Sequence, residues 1–254
     1  ALDLARYLTD RGTPLSVVGI PKTIDNDLSF VQRSFGFVTA ATVADRVVAG
    51  AHVEATGAPN GIGLVKVMGR HSGFIAAATA VANNDVNFVL IPEVPFDLEG
   101  ENGFLHHLER QLSGKGHAVI VVAEGAGQDL LEASNGTDAS GNKLLGDIGL
   151  FLADRIKEYF KARKTEISLK YFDPSYSIRS TPANTIDSYY CTRLGAHAVH
   201  AAMAGKTGLI VSFLHARFVH VPIEVATASR NTVDPEGPLW FGVLETTGQP
   251  MQMR

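Results

Sequence analysis

Short apolar, β-branched runs recur along this chain, and helix-length segments fill the intervals between them. That alternation constrains the fold more than any other feature. It predicts strands over residues 15–20, 62–67, 87–91, 117–123, 166–171 and 208–214, with strand-like material over 218–225. Apolar residues at helical spacing predict helices over 1–11, 36–56, 72–82, 101–112, 147–164 and 184–204. Strands alternating with helices make a parallel sheet with helices on both faces. The strands are nearly continuous in apolar residues, as a sheet covered on both faces requires. Residues 134–141 are polar and Gly-rich, a candidate surface loop. The remainder beyond 225 shows less regular patterning, and no repeat, low-complexity tract or heptad is present.

Composition narrows the function classes. The chain has 254 residues, 45% hydrophobic and 19% charged, which is ordinary globular usage and argues against disorder. The net charge of -4 gives no electrostatic case for nucleic acid or an anionic membrane surface as a partner. No apolar run approaches the roughly 20 residues that a membrane-spanning helix needs. The single cysteine, Cys191, excludes an internal disulfide and suits a reducing compartment, with the cytoplasm expected. The Asn135-Gly136-Thr137 triplet is then an accidental match to a glycosylation acceptor. Ala1 opens directly into a helical pattern with no initiator Met, signal or transit-like segment, so an upstream part is expected to be missing.

In open parallel sheets, ligands sit beyond the carboxyl ends of the strands. Four such ends stand out. The first carries Lys22, Thr23, Asp25 and Asp27 within six residues. Two carboxylates beside an ammonium suit a site where one takes a proton and another manages charge, but an Asx-rich turn with a surface ion pair would look the same. Met68-Gly69-Arg70 places a glycine where backbone approaches closely, then a guanidinium suited to phosphate; a helix-start turn is the alternative. Glu93 follows Pro92 after a strand and, taken alone, reads as an exposed loop acid. Tyr176 and Arg179 precede a helix, with Lys170 on the strand before them, and together would suit an anion. Cations and acids around one rim point to phosphoryl transfer, in which catalysis is mostly positioning and charge stabilisation. Gly125-Ala126-Gly127 lacks the third glycine of a dinucleotide loop and reads as a tight turn. His106, His107, His197 and His200 have no metal-ligand company, and Cys191 reads as a core residue of its helix.

At GIPKTIDNDL (19–28) the chain resembles the 6-phosphofructokinase family. The resemblance continues in order through SFGFVTA (34–40), VKVMGRHSGFIA (65–76), IPEVPF (91–96), AEGAGQ (123–128) and YFDPSYSIRS (171–180), and covers nearly the whole chain. PKTIDND and MGR are highly specific in combination. The AEGAGQ and DPSY-IRS variants resemble the long plant- and protist-type branch, whose sequences are pyrophosphate-type-like although many members use ATP. The implied fold is α/β, with two doubly wound parallel-sheet (Rossmann-like) domains of phosphofructokinase type, the first incomplete. The implied division is a partial phosphate-donor domain over 1–36 and 179–230, and a sugar-phosphate-binding domain over 37–178 and 231–254.

The implied reaction transfers a phosphoryl group from ATP or pyrophosphate to the 1-hydroxyl of fructose 6-phosphate, a glycolytic step. Residue by residue, Asp25 matches the family's proton acceptor, and Thr23 and Ile24 match sugar-binding positions beside it. Asp27 matches an acid close to magnesium (Mg2+) and the transferring phosphoryl. Lys22 matches a position that is Lys in the pyrophosphate-type and long-type enzymes. Met68, Gly69 and Arg70 match the segment contacting substrate and transferred phosphoryl, and Glu93 the acid that bonds sugar hydroxyls. Tyr176 and Arg179 match the 6-phosphate contacts, and Lys170 an Arg that reaches a neighbouring subunit's sugar phosphate. The resemblance also implies a homo-oligomer, dimer or tetramer. Gly61 stands where the short bacterial enzymes carry a second such Arg. The family's Gly-Gly-Asp donor loop is expected just upstream of Ala1, so the 254 residues alone are expected to be inactive. The competing reading is a non-catalytic sugar-phosphate-binding regulatory subunit or an inactive fragment.

Overall fold

In a computed structural model, which describes residues 1–131, 136 and 144–254, the chain divides into two units, Ala1–Ala40 with Pro182–Asn231, and Ala41–Thr181 with Thr232–Arg254. In chain order the first elements are α1 (Leu2–Asp10), β1 (Val18–Gly19), α2 (Phe37–Thr56), β2 (Gly61–Val67), α3 (Phe74–Ala82), β3 (Phe88–Leu90), α4 (Phe104–Lys115) and β4 (His117–Ala123). Then follow α5 (Ile148–Ala162), β5 (Ser168–Phe172), α6 (Ser175–Arg179), α7 (Thr185–Met203), β6 (Leu209–Leu214), β7 (Arg217–Pro222), α8 (Ile223–Thr227) and α9 (Pro238–Thr247). Residues 134–141 and the Asn135-Gly136-Thr137 triplet lie, Gly136 apart, outside the described residues.

The larger unit is built on one parallel sheet ordered β3-β4-β2-β5. β2 pairs with β4 from Gly61↔His117 to Val67↔Ala123 and with β5 from Gly61↔Ser168 to Val65↔Phe172. Helices cover both faces. Ile62, Leu64, Ile120 and Val122 enter one core with Leu108 of α4 and Leu152 of α5. The other face of β2 takes α2, whose buried stripe Ala44, Val48, Ala51 and Ala55 has helical spacing. A Cβ on Gly63 would stand 2.9 Å from the Ala51 carbonyl oxygen, so only glycine allows this approach. α9 packs on α3. It was unreadable in sequence because Leu239, Trp240, Phe241, Val243 and Leu244 leave no clean apolar period. Gln249 beyond it bonds both to the N–H and to the C=O of Val89 in β3.

The smaller unit holds three strands ordered β1-β6-β7. β1 pairs parallel with β6, whereas β6 and β7 form an antiparallel hairpin. The hairpin turns through His215 and Ala216, at φ 47 and 61. These are not residues that announce such a turn in sequence, which is why the antiparallel pairing was not expected. The run 15–20 was expected to be a buried strand, but only Val18–Gly19 joins the ladder, and Leu15 and Ile20 are 61% and 41% exposed. An edge strand with one neighbour has little surface to bury its flanks against. Cys191, expected in the core of α7, is only half-buried.

Candidate active site

In the smaller unit the loop after β1 is shaped by Asn26 and Asp27. Asn26 adopts φ 60, a left-handed conformation that Asn tolerates better than most side chains. Its Oδ1 accepts the Ser34 N–H at 2.7 Å. Thr23 Oγ1 donates to Asp27 Oδ1 at 2.7 Å and accepts the Asp25 N–H at 3.3 Å. Arg230 Nη1 donates to Asp27 Oδ2 at 2.7 Å. The adjacent Asn231 N–H donates to the Asp27 carbonyl at 2.9 Å. Leu28 and Arg230 form an antiparallel bridge. Thr23, Ile24 and Asp25 are half-buried, Lys22 is exposed, and Asp27 is 8% exposed. The two acids are therefore inequivalent. Asp27 has both carboxylate oxygens bonded, one to a hydroxyl and one to a guanidinium. Sequence reasoning missed Arg230, which lies 203 positions from its partner.

In the larger unit three of the expected segments leave the carboxyl edge of the same parallel sheet: 68–70 after β2, 91–93 after β3 and 173–179 after β5. Gly69 has φ 134, and a Cβ there would lie 2.4 Å from the Ser72 carbonyl oxygen. The Gly125 N–H donates to the Gly69 carbonyl at 3.0 Å, and a Cβ on Gly125 would lie 2.0 Å from the Arg70 carbonyl oxygen. The Gly125–Gly127 turn thus braces the loop that carries Arg70, a role its sequence did not reveal. Met68 is buried and Arg70 half-buried.

Glu93 is not the exposed loop acid that its local sequence suggests. It is half-buried, and its carboxylate accepts the Gly73 N–H at 3.0 Å and the Val233 N–H at 2.8 Å. Burial pushes its pKa above the usual carboxylate range, against the pull of these backbone donors. Gly73 precedes α3, so Glu93 satisfies a donor at a helix start, as a capping side chain does. Arg179, in α6, donates from Nε to Met68 Sδ at 3.1 Å, while Tyr176 on the same helix is 88% exposed. Lys170 lies within β5 on the face opposite Tyr171. Its Nζ is 3.5 Å from Glu54 Oε1 on α2, which sets it apart from Tyr176 and Arg179.

His106 and His107 lie on α4, and among the described residues no three His, Cys, Asp or Glu side chains converge to hold a metal. No described helix is long and apolar enough to cross a membrane.

A family model described as Phosphofructokinase matches residues 1–202. A relative from Borreliella burgdorferi, named ATP-dependent 6-phosphofructokinase, is 57% identical over 261 residues, covering 100% of this chain and 58% of that protein. One of the same name from Amycolatopsis methanolica is 54% identical, covering 98% of this chain and 56% of that protein. This chain therefore spans little more than half the length of these curated relatives. Among solved structures, a pyrophosphate-dependent phosphofructokinase from Marinobacter aquaeolei superposes with a TM-score of 0.73 at 21% identity, covering 96% of this chain and 63% of that one. That likeness speaks for the fold.

Proposed function

The chain belongs to the phosphofructokinase family, and from that premise we propose that it is part of a 6-phosphofructokinase, which transfers a phosphoryl group to the 1-hydroxyl of fructose 6-phosphate. The observation that carries the assignment of roles is the inequivalence of the two acids after β1. Asp27 is buried against Thr23 and Arg230, whereas Asp25, two residues earlier and more exposed, matches the family's proton acceptor and is the base in this proposal. In this reading Asp25 takes the hydroxyl proton. The sugar oxygen bonds to the transferring phosphorus as the bond to the leaving phosphate oxygen breaks. Lys22 and Arg70 offset the charge that develops on the phosphoryl oxygens. Thr23 and Ile24 bind the sugar beside Asp25. Met68 and Gly69 shape its bed, Glu93 accepts from its hydroxyls, and Tyr176 and Arg179 hold the 6-phosphate. Lys170 is the candidate for a neighbouring subunit's sugar phosphate, in a cytoplasmic homo-oligomer.

Magnesium fits the donor set. It is bound through one or two carboxylates plus substrate phosphates in place of an all-protein cage, and Asp27 is a buried carboxylate of this loop whose oxygens keep acceptor capacity beyond the bonds from Thr23 and Arg230. When bound with the donor, the ion would neutralise phosphate charge. The smaller unit then belongs to the phosphate-donor domain and the larger unit to the sugar-phosphate domain. The relatives' names favour ATP over pyrophosphate as the donor. The test is a phosphoryl-transfer assay of the full-length protein with fructose 6-phosphate, ATP and pyrophosphate in parallel. Fructose 1,6-bisphosphate formed with ATP is expected, and no transfer from either donor would overturn the reading.

A further inference from the structure

A strand covered on both faces has little use for a lysine, yet Lys66 is the penultimate residue of β2. Ile62, Leu64 and Lys66 share one face of the strand, and the first two enter the core beneath α4 and α5. At Lys66 that face reaches the carboxyl edge of the sheet. The side chain, 12% exposed, ends between two carboxylates, with Nζ 3.0 Å from Asp147 Oδ2 and 3.0 Å from Asp173 Oδ2. Each carboxylate uses its other oxygen to start a helix. Asp147 Oδ1 accepts the Gly149 and Leu150 N–H groups at 3.0 and 3.1 Å, capping α5. Asp173 Oδ1 accepts the Ser175 N–H at 3.1 Å, at the first residue of α6. Burial opposes the lysine's charge, but hydrogen bonds with Asp147, Asp173 and Tyr171 outweigh it and raise its pKa.

α6 has five residues and no side-chain bond from its N-cap Pro174, so it is far too short to hold itself. It is tied at two points instead. Its entry is held through Asp173 to Lys66, and its exit through the Arg179–Met68 contact. Both ties lead to β2 and its direct extension. Without the ammonium, two neighbouring carboxylates would repel each other and the entry tie would be lost.

We propose that Lys66 is a positioning residue for substrate: through Asp173 it fixes the short helix that presents Tyr176 and Arg179, and so sets the affinity for the phosphate of the sugar substrate. This rests on the reading of α6 as the 6-phosphate site. It is tested by steady-state kinetics of the full-length protein with fructose 6-phosphate varied at saturating donor, together with calorimetric binding of fructose 6-phosphate alone. In Lys66→Met and in Asp173→Asn, the KM and Kd for fructose 6-phosphate rise about 10- to 100-fold, the range seen when groups that orient a ligating side chain are removed. The kcat and the donor KM change little, and Lys66→Arg, which keeps the cation, recovers most of the loss. Asp147→Asn keeps the Lys66–Asp173 link and leaves the sugar-phosphate KM as it was. Should Lys66→Met fail to fold, Asp173→Asn alone decides. An unchanged KM in Asp173→Asn overturns the proposal, as does an equal rise in Asp147→Asn, which would mean general loosening. Arg179→Ala separates the two levels. If it raises the KM while Lys66→Met and Asp173→Asn do not, the positioning role fails and the phosphate site stands. If it too leaves the KM unchanged, the reading of α6 fails and this proposal falls with it.

Discussion

The larger unit carries four strands in one parallel sheet, with a core that runs from Ile62 and Ile120 through Phe104 to Phe160. The smaller unit carries three strands, one of them two residues long and at an edge. Its buried side chains gather in small groups, Val31 with Ile210 and Ile223 in one, Tyr190 with Leu194 and Val211 in another. Large apolar side chains stand exposed on it, among them Tyr7, Leu15, Tyr189, Val199 and Met203. A unit that buries little apolar surface has little to set against the entropy of ordering its chain. Yet the densest chemistry in the sequence, the loop from Lys22 to Asp27, lies in that smaller unit. What holds the loop is polar and specific: Thr23, Arg230 and Asn231 around Asp27, and Ser34 on Asn26. In the larger unit the site segments instead inherit their place from a rigid sheet edge.

The largest effect expected from this contrast is chemical and belongs to the smaller unit. Asp25→Asn in the full-length protein should lower kcat by about 10²–10⁴, the usual yield of a positioned base, with little change in sugar-phosphate affinity. Asp27→Asn should behave differently, with an effect that depends on magnesium concentration. Near-normal turnover in Asp25→Asn alongside an inactive Asp27→Asn would exchange the two roles.

Next comes stability, where the larger unit should dominate. Trp240 is the chain's single tryptophan and is 1% exposed in that unit. Denaturant titration of the 254-residue chain should give a circular-dichroism transition that begins before the Trp fluorescence changes, because the smaller unit melts first. Leu64→Ala should remove about 2–5 kcal/mol from the fluorescence transition alone. Coincident transitions would erase the contrast between the units.

Smaller again is the binding effect. If α6 holds the sugar phosphate as proposed, Arg179→Ala loses a charge-assisted contact worth about 1.5–3 kcal/mol, which is roughly 10- to 150-fold in the KM for fructose 6-phosphate. On the same proposal the kcat should hold.

The smallest effect is one of pH. Burial raises the pKa of Asp147 and Asp173, but bonds from Lys66 and the Leu150 N–H to Asp147, and from the Ser175 hydroxyl, Lys66 and the Ser175 N–H to Asp173, outweigh it, so both lie below the ordinary value of 3.8. Folding therefore favours their charged forms. The stability they contribute is present above that value and is lost as pH falls through the lower folded values. Glu93, shifted upward by burial, works in the opposite sense, its destabilising effect fading as pH falls. The Trp240 midpoint should decline below about pH 4, and Lys66→Met should flatten that decline. The effect is modest because both carboxylates are more than a third exposed. An acid slope unchanged in Lys66→Met would remove the lysine from the account.

How much of this was legible beforehand follows the range of the interactions involved. The strand 117–123 was read residue for residue, and the helix at 37–56 to within one residue, because each repeats its own local period. The loops after β1 and β2 were singled out by residue type and order alone. The antiparallel β6–β7 pair and α9 were not read, since neither has a local signature that differs from its surroundings.

By itself, the sequence determined the alternation of strands and helices, the family, and which loops carry acids and cations, for these are properties of neighbouring residues. Tertiary structure decided the rest. It set Arg230 on Asp27 and gave Glu93 the backbone donors of Gly73 and Val233. It closed Lys66 between Asp147 and Asp173, and turned Lys170 toward Glu54. Each of these joins side chains from distant stretches of chain. A charge finds its partner only when the sheet and its loops have brought the two together, and no local period records that meeting.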